Sequence, residues 1–82
     1  MEEIKEIKDF ITENVRKCKE FKENKVKQAD CFRDICYLVN DKFGKSAHFD
    51  FYDNNISFII GISIENSVVL KFNKENLKLI EK

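Results

Sequence analysis

Three cysteines and a single histidine are the residues of this sequence with the clearest potential for metal or nucleophilic chemistry. They are Cys18, Cys31, Cys36 and His48. Structural zinc sites collect ligands from short spacings such as C-x₂-C or H-x₃-H, and the four residues match neither spacing. On a helix, Cys31 and Cys36 would diverge by about 140°. The sequence therefore predicts no metal site.

The cysteines also bear on the cellular compartment. Three cysteines cannot all pair within one chain, and the acidic, amphipathic start over residues 1–6 differs from a secretory signal peptide. Disulfides are rare in compartments where thiols are kept reduced. We therefore expect reduced thiols and a cytoplasmic location.

Nucleophilic catalysis would require Cys31 to lie beside His48, and nothing in the sequence places the two together. With 2 glycines, the chain offers neither an oxyanion-forming glycine turn nor a glycine-rich phosphate loop. The sequence therefore predicts a non-enzymatic protein with no catalytic residues and no cofactor.

Composition narrows the function classes further. The chain has 82 residues, of which 43% are hydrophobic, enough for one core in a single domain over residues 1–82. Fifteen basic residues balance 15 acidic ones, whereas proteins that bind the phosphate backbone usually carry an excess of Lys and Arg. No apolar run approaches the roughly 20 residues of a membrane span, so we expect no membrane association.

The first half of the chain has the periodicity of helices. Apolar residues recur every three or four positions from Ile4 to Phe21 and again from Val26 to Phe43, which predicts a helical hairpin over residues 1–44. The first helix is predicted over residues 2–23, and a turn over residues 23–25 separates the two helices. Asn24 is the expected left-handed residue of that turn, and Gly44 is the expected residue after the second helix. One continuous helix of about 40 residues is the alternative, but it would leave an apolar stripe exposed.

The second half alternates between apolar and polar residues, which predicts an antiparallel three-stranded sheet over residues 46–73. A two-residue turn within residues 53–56 would set Phe51 opposite Phe58. A three-residue loop over residues 65–67 would set Ile62 opposite Leu70. The predicted core face is Ala47, Phe49, Phe51, Ile56, Phe58, Ile60, Ile62, Ile64, Val68, Leu70 and Phe72. The predicted outer face is His48, Asp50, Tyr52, Ser57, Ile59, Gly61, Ser63, Val69, Lys71 and Asn73.

The fold prediction is thus an α+β domain of order ααβββ, with a two-helix hairpin packed on the antiparallel meander. Residues 74–82 fit two alternatives. Asn73 could cap a short helix that directs Leu77 and Ile80 inward. Alternatively, a fourth strand would align Leu77 with Phe72 and set Lys78 opposite Lys71, a pair of like charges.

Two surfaces are candidates for binding. The first is the outer sheet face, where we expect a protein partner to contact His48, Asp50, Tyr52, Ile59 and Lys71. The same face would hold any catalytic group, with His48 and Lys71 on either side of Gly61. The second is the basic end of the first helix, where nucleic acid could contact Arg16, Lys19, Lys22, Lys25 and Lys27.

The function predicted from these features is a non-enzymatic protein-binding module. Small size, zero net charge and a composition rich in Lys, Ile and Asn suggest a low-GC bacterial or mobile-element source. They favour a phage or mobile-element inhibitor of a host protein machine, of the anti-defence or anti-CRISPR kind. One alternative is a small RNA- or DNA-binding module, and another is a homodimer formed through a strand edge or helix 1.

Overall fold

The computed structural model describes residues 2–80, with Glu2 described by its backbone alone. Its elements, in order, are helix α1 (Glu2–Lys17), a 3₁₀ helix (Cys18–Phe21), helix α2 (Lys25–Phe43) and strands β1 (Ala47–Phe51), β2 (Asn55–Gly61) and β3 (Ser67–Asn73). The strands form one antiparallel sheet in the order β1-β2-β3. The predicted α+β class and the ααβββ order are therefore confirmed.

The boundaries of α2 follow from local hydrogen bonding. The turn between the helices covers residues 22–24, one residue earlier than predicted, and α1 ends at Lys17 rather than near residue 23 because the last turn before it is a 3₁₀ helix. Asn24 is not left-handed: it has φ −126° and ψ 98°, and its side chain accepts a hydrogen bond from the Lys27 N–H at 3.0 Å. Asn24 is thus an N-cap, a role that short polar side chains fill well. Gly44 has φ 66° and donates its N–H to the Asn40 carbonyl, which confirms the predicted left-handed end of α2. Within residues 2–80, neither helix has the length and apolar character needed to cross a bilayer.

Helix α2 contacts both α1 and the sheet, and Phe32 carries the contact with the sheet. Its ring is fully buried and lies 5.7 Å from the ring of Phe49, 6.1 Å from Phe51 and 5.8 Å from Phe58, centroid to centroid. These are favourable edge-on and tilted geometries for aromatic pairs. Because the three partners lie on two strands, Phe32 fixes the position of α2 over β1 and β2.

Contacts near both ends of the hairpin hold its two helical arms together, in addition to the shared core between them. At the turn end, Cys18 and Cys31 form a disulfide with a Cα–Cα distance of 5.9 Å. At the open end, the ring of Phe10 packs edge-on against that of Phe43 at 5.7 Å, and the Lys42 ammonium lies over both rings. The expectation of reduced thiols is therefore wrong for two of the three cysteines, because hairpin packing brings together residues 13 positions apart.

The first β-hairpin has the predicted faces but a different register. Phe51 pairs with Ile56 and Phe49 with Phe58, so each partner differs by two residues from the prediction. The turn lies one residue earlier, because Tyr52 donates its N–H to the Asn55 carbonyl at 2.8 Å. A two-residue slip leaves every side chain on the same face, so the alternation pattern alone does not distinguish these registers.

The second β-hairpin likewise keeps an odd loop, but a longer one than predicted. Gly61 pairs with Ser67, which leaves residues 62–66 as the loop. Leu70 consequently pairs with Phe58 rather than with Ile62. Ile64, predicted on the core face, lies in this loop and is fully exposed, so that assignment is wrong.

The predicted sheet faces otherwise match the burial closely. Phe58, Ile60 and Phe72 are completely buried on the inner face, while Phe51, at the end of β1, remains 47% exposed. On the outer face the exception is Ser57, which was predicted to be solvated and is only 2% exposed. The inner face and the helices together enclose one core.

The C-terminal segment is neither the predicted helix nor a full fourth strand. Asn73 does act as a cap, since its side chain accepts from the N–H groups of Glu75 and Asn76, but only a single turn follows. Leu77 then adopts φ 57° with its side chain buried, and the chain returns along β3. A single bridge in the described chain joins Leu79 to Phe72, two residues away from the predicted alignment of Leu77 with Phe72. Residues 81 and 82 lie outside the described part of the chain.

Reducing the Cys18–Cys31 disulfide should lower the free energy of unfolding by about 3 kcal/mol, because the bond closes a short loop and restricts the unfolded chain. Chemical denaturation with and without reductant measures this difference. The double variant C18A/C31A should show the same low stability and no response to reductant. An oxidised and a reduced protein of equal stability would contradict this role for the bond.

Candidate functional site

The outer sheet face is organised in rows of side chains across the three strands. The central row runs from Asp50 on β1 through Ser57 on β2 to Lys71 on β3. The next row joins Ile59 to its neighbours His48 and Val69. Opposite charges therefore lie on either side of Ser57, with the pair Ser57–Lys71 in direct cross-strand alignment.

This arrangement corrects the predicted neighbours of Gly61. His48 and Lys71 do not flank Gly61, because the register places His48 beside Ile59 and Lys71 beside Ser57. Gly61 instead lies in close contact with Ser46. A Cβ atom at position 61 would be 2.7 Å from the Ser46 hydroxyl oxygen. The Gly61 N–H also donates to the Ser46 carbonyl at 2.9 Å. Glycine at position 61 therefore leaves room for Ser46, at the start of β1, to lie directly against the backbone of β2.

A groove of about 460 Å³ follows the β2–β3 side of the outer face. We call it the outer groove, and it is lined by Tyr52, Asn55, Ser57, Ile59, Val69 and Lys71. Tyr52 and Val69 are 56% and 49% exposed, which is high for large apolar side chains. An apolar surface edged by a few polar groups has the composition of a binding groove.

Three of the five predicted outer-face residues, Tyr52, Ile59 and Lys71, line the outer groove. His48 and Asp50 are exposed on the same face, but they lie on β1 beside the groove. The prediction omitted Asn55, Ser57 and Val69 from the site. The correct register was the signal that would have found Ser57, since only that register sets it between Asp50 and Lys71.

Ser57 is the chemically unusual residue of the outer groove. Its hydroxyl oxygen is buried and has no hydrogen-bond partner, a property that it shares, within the described residues, with Thr12 Oγ1 on α1. Buried polar groups in native proteins are nearly always satisfied, so each exception calls for an explanation. Because this oxygen is closed to solvent, a bound molecule can supply its missing partner once the neighbouring side chains of the groove move aside.

The second predicted surface lies at the junction of the two helices. We call it the basic turn, and it comprises Arg16, Lys19, Lys22, Lys25 and Lys27, all of them exposed. Arg16 lies in the last turn of α1, where a cation stabilises the helix dipole. Lys25 and Lys27 lie in the first turn of α2, which contains no acidic residue. Cations are unfavourable there, so the dipole explains only part of the cluster.

The cysteines and the histidine do not form a reactive centre in the described structure. Cys31 is held in the disulfide, so it has no free thiol to pair with His48. Cys36 is free but buried, and desolvation raises the pKa of its thiol to about 11. A thiol of that pKa is a poor nucleophile at neutral pH, because little thiolate forms. Within residues 2–80, no three His, Cys, Asp or Glu side chains converge to hold a metal ion.

A scan against protein-family models finds no family that matches this chain, and searches of curated proteins and of solved structures return no significant match.

Replacing Ser57 with Ala should leave the free energy of unfolding unchanged or raise it by up to about 1 kcal/mol, because the hydroxyl is buried without a partner. Thermal and chemical denaturation of the two proteins measures the change. Thr12→Val, which removes the other unpartnered hydroxyl at nearly constant volume, should behave in the same way. A loss of more than about 1 kcal/mol in S57A would show that the hydroxyl is bonded in the free protein.

Stability should also fall in alkali because of Cys36. Burial raises the pKa of this thiol from 9.0 to about 11, so above pH 9 the unfolded chain loses a proton that the folded chain retains. The protonated Cys36 thiol therefore contributes fully to the free energy of unfolding below pH 9. This contribution is lost as the pH rises to about 11, which lowers the free energy of unfolding by about 2 kcal/mol. Denaturation at several pH values, with C36A as the control, isolates the effect. Parallel pH profiles for the wild type and C36A would contradict it.

Proposed function

We propose that this chain is a non-enzymatic protein-binding module that recognises its partner through the outer groove. The observation that carries this proposal is the buried, unpartnered hydroxyl of Ser57 in a groove that is also lined by the exposed side chains of Tyr52 and Val69. Exposed apolar area provides the favourable free energy of burial, and the unsatisfied hydroxyl provides a directional contact that only the complex completes.

The surroundings of the outer groove fit a protein partner. Aromatic residues are enriched at the centres of protein interfaces, whereas charged residues are confined mainly to their rims. Tyr52 supplies the aromatic ring, and Lys71 and Asp50 supply charges of opposite sign at the borders. We infer a partner segment that inserts an apolar side chain between Tyr52 and Val69 and offers a hydrogen-bonding group to Ser57.

We further propose that the module is an inhibitor encoded by a phage or another mobile element and directed against a host protein machine, as an anti-defence or anti-CRISPR protein would be. Small size, zero net charge and the composition bias support this proposal. A cytoplasmic location in a low-GC bacterium is part of it. The Cys18–Cys31 disulfide weighs against that location, because cytosolic thiols are usually kept reduced.

A second candidate function is nucleic-acid binding by the basic turn. The observation that favours it is the position of Lys25 and Lys27 in the first turn of α2, where the helix dipole opposes a positive charge. An anionic ligand at this helix start would offset the unfavourable interaction between these lysines and the helix dipole. Together with Arg16, Lys19 and Lys22, they would contact a phosphate backbone.

Affinity capture from a low-GC bacterial lysate tests the proposed function. The wild-type chain should retain a specific protein, and Tyr52→Ala should weaken the purified complex by at least about tenfold, because a central aromatic anchor is removed. Ser57→Ala should weaken it as well without loss of stability. Calorimetric titration with the captured protein measures both affinities.

Tyr37→Ala is the matched control, because Tyr37 is a comparably exposed tyrosine on helix α2. Binding that survives Y52A and fails with Y37A would assign the partner to the helix and contradict the proposal. Capture of nucleic acid alone, abolished by high salt and by K25E/K27E, would establish the second candidate function instead.

A further inference from the structure

Strand β1 forms an open edge of the sheet. In the strand order β1-β2-β3, no other strand of the described chain lies beyond it. The opposite edge is partly covered, because Ile80 donates its N–H to the Lys71 carbonyl and Asn73 donates to the Lys78 carbonyl. Open edges present unpaired backbone groups that readily pair with another strand. Backbone pairing is therefore most available along β1.

The ladder between β1 and β2 determines which backbone groups of β1 point outward. The Tyr52 N–H donates to Asn55, and Ser46 accepts from Gly61, so the hydrogen-bonded positions have even numbers in this strand. Hydrogen-bonded and non-hydrogen-bonded positions alternate in an antiparallel pair. The N–H and C=O groups of the odd positions 47, 49 and 51 therefore point away from the sheet.

We propose that β1 pairs with β1 of a second copy of this chain, antiparallel and about a two-fold axis at Phe49. In this register Phe49 faces Phe49 of the second copy, and Ala47 faces Phe51. The outward N–H and C=O groups of these three residues then all find partners in the other copy. The two sheets become one continuous sheet, and closed two-fold symmetry ends the assembly at a dimer.

The side chains of β1 complement themselves in this register. On the outer face, His48 lies opposite Asp50 of the second copy at both ends of the interface, and an imidazole N–H can donate to that carboxylate. On the inner face, the pairs are apolar, and Phe51, which is 47% exposed in the single chain, is covered by Ala47 of the second copy. The edge thus loses both its unpaired backbone and its exposed ring.

Neighbouring registers lack this complementarity. A two-fold axis at Asp50 would set the two Asp50 carboxylates directly opposite each other, which is unfavourable. An axis at His48 would place Phe51 opposite Lys45, which precedes the strand. The axis at Phe49 is the register that pairs the whole of Ala47–Phe51.

This inference extends the proposed function without depending on it. The outer groove lies on the β2–β3 side of the sheet, so the pairing leaves both grooves open and sets them on one continuous surface. The dimer could form in a protein that binds no partner through the groove, and the groove could bind in a monomer.

Cross-linking tests the register. Positions 48 and 50 of the two copies form non-hydrogen-bonded pairs, whose Cα atoms approach to about 4.5 Å and fall within disulfide range. The double variant H48C/D50C, oxidised and run on a non-reducing gel, should migrate as a covalent dimer. The single variant H48C should remain a monomer, because it faces Asp50 of the other copy. Efficient cross-linking of H48C alone, or none of the double variant, would overturn the proposed register.

Sedimentation equilibrium over a concentration series tests the dimer itself. The wild type should show a reversible monomer–dimer equilibrium. His48→Asp places two carboxylates opposite each other at both ends of the interface and should raise the dimer Kd by about tenfold or more. The swap H48D/D50H restores the complementary pairs and should restore the wild-type Kd.

Circular dichroism of each variant confirms folding, which the exposed positions 48 and 50 should tolerate. A monomeric mass for the wild type at every concentration would overturn the proposal. So would a dimer of equal affinity in the wild type and H48D.

Discussion

The packing of one phenylalanine ring against the sheet is the contact on which the rest of the structure depends. Phe32 projects from α2 onto the rings of Phe49, Phe51 and Phe58. Phe58 in turn packs edge-on against Phe72, which extends the contact to β3. Because close-packed rings leave little room for displacement, this cluster sets the position of α2 and requires Phe49 and Phe58 to be neighbours across the strands.

Once the inner face is covered by the helices, the outer face and the free edge of β1 are the parts of the sheet that remain available for binding. The outer groove and the β1 edge differ in physical character. The groove offers side-chain contacts around an unsatisfied hydroxyl, whereas the edge offers a row of backbone donors and acceptors. The basic turn lies on other elements, at the junction of the helices.

Local features of the chain were predictable to the extent that they depend on neighbouring residues. The helix break near Asn24 and the left-handed end at Gly44 follow from residue preferences that act over one turn. The disulfide was not predictable in this way, because Cys18 and Cys31 meet only when the 3₁₀ helix that follows α1 packs against α2. Burial of Cys36, and with it the raised pKa of its thiol, likewise requires the assembled core.

Alternation along each strand was enough to predict which side chains share a face of the sheet, because that pattern survives any slip of two residues. It could not determine which residues face each other across the strands. The position of Ser57 between Asp50 and Lys71, and the exposure of Ile64 in a loop outside the core, depend on packing in the folded chain. The physical reason is that registers two residues apart place the same side chains on the inner face but bring different phenylalanine rings together under Phe32 of α2. That packing involves residues that are distant in the chain.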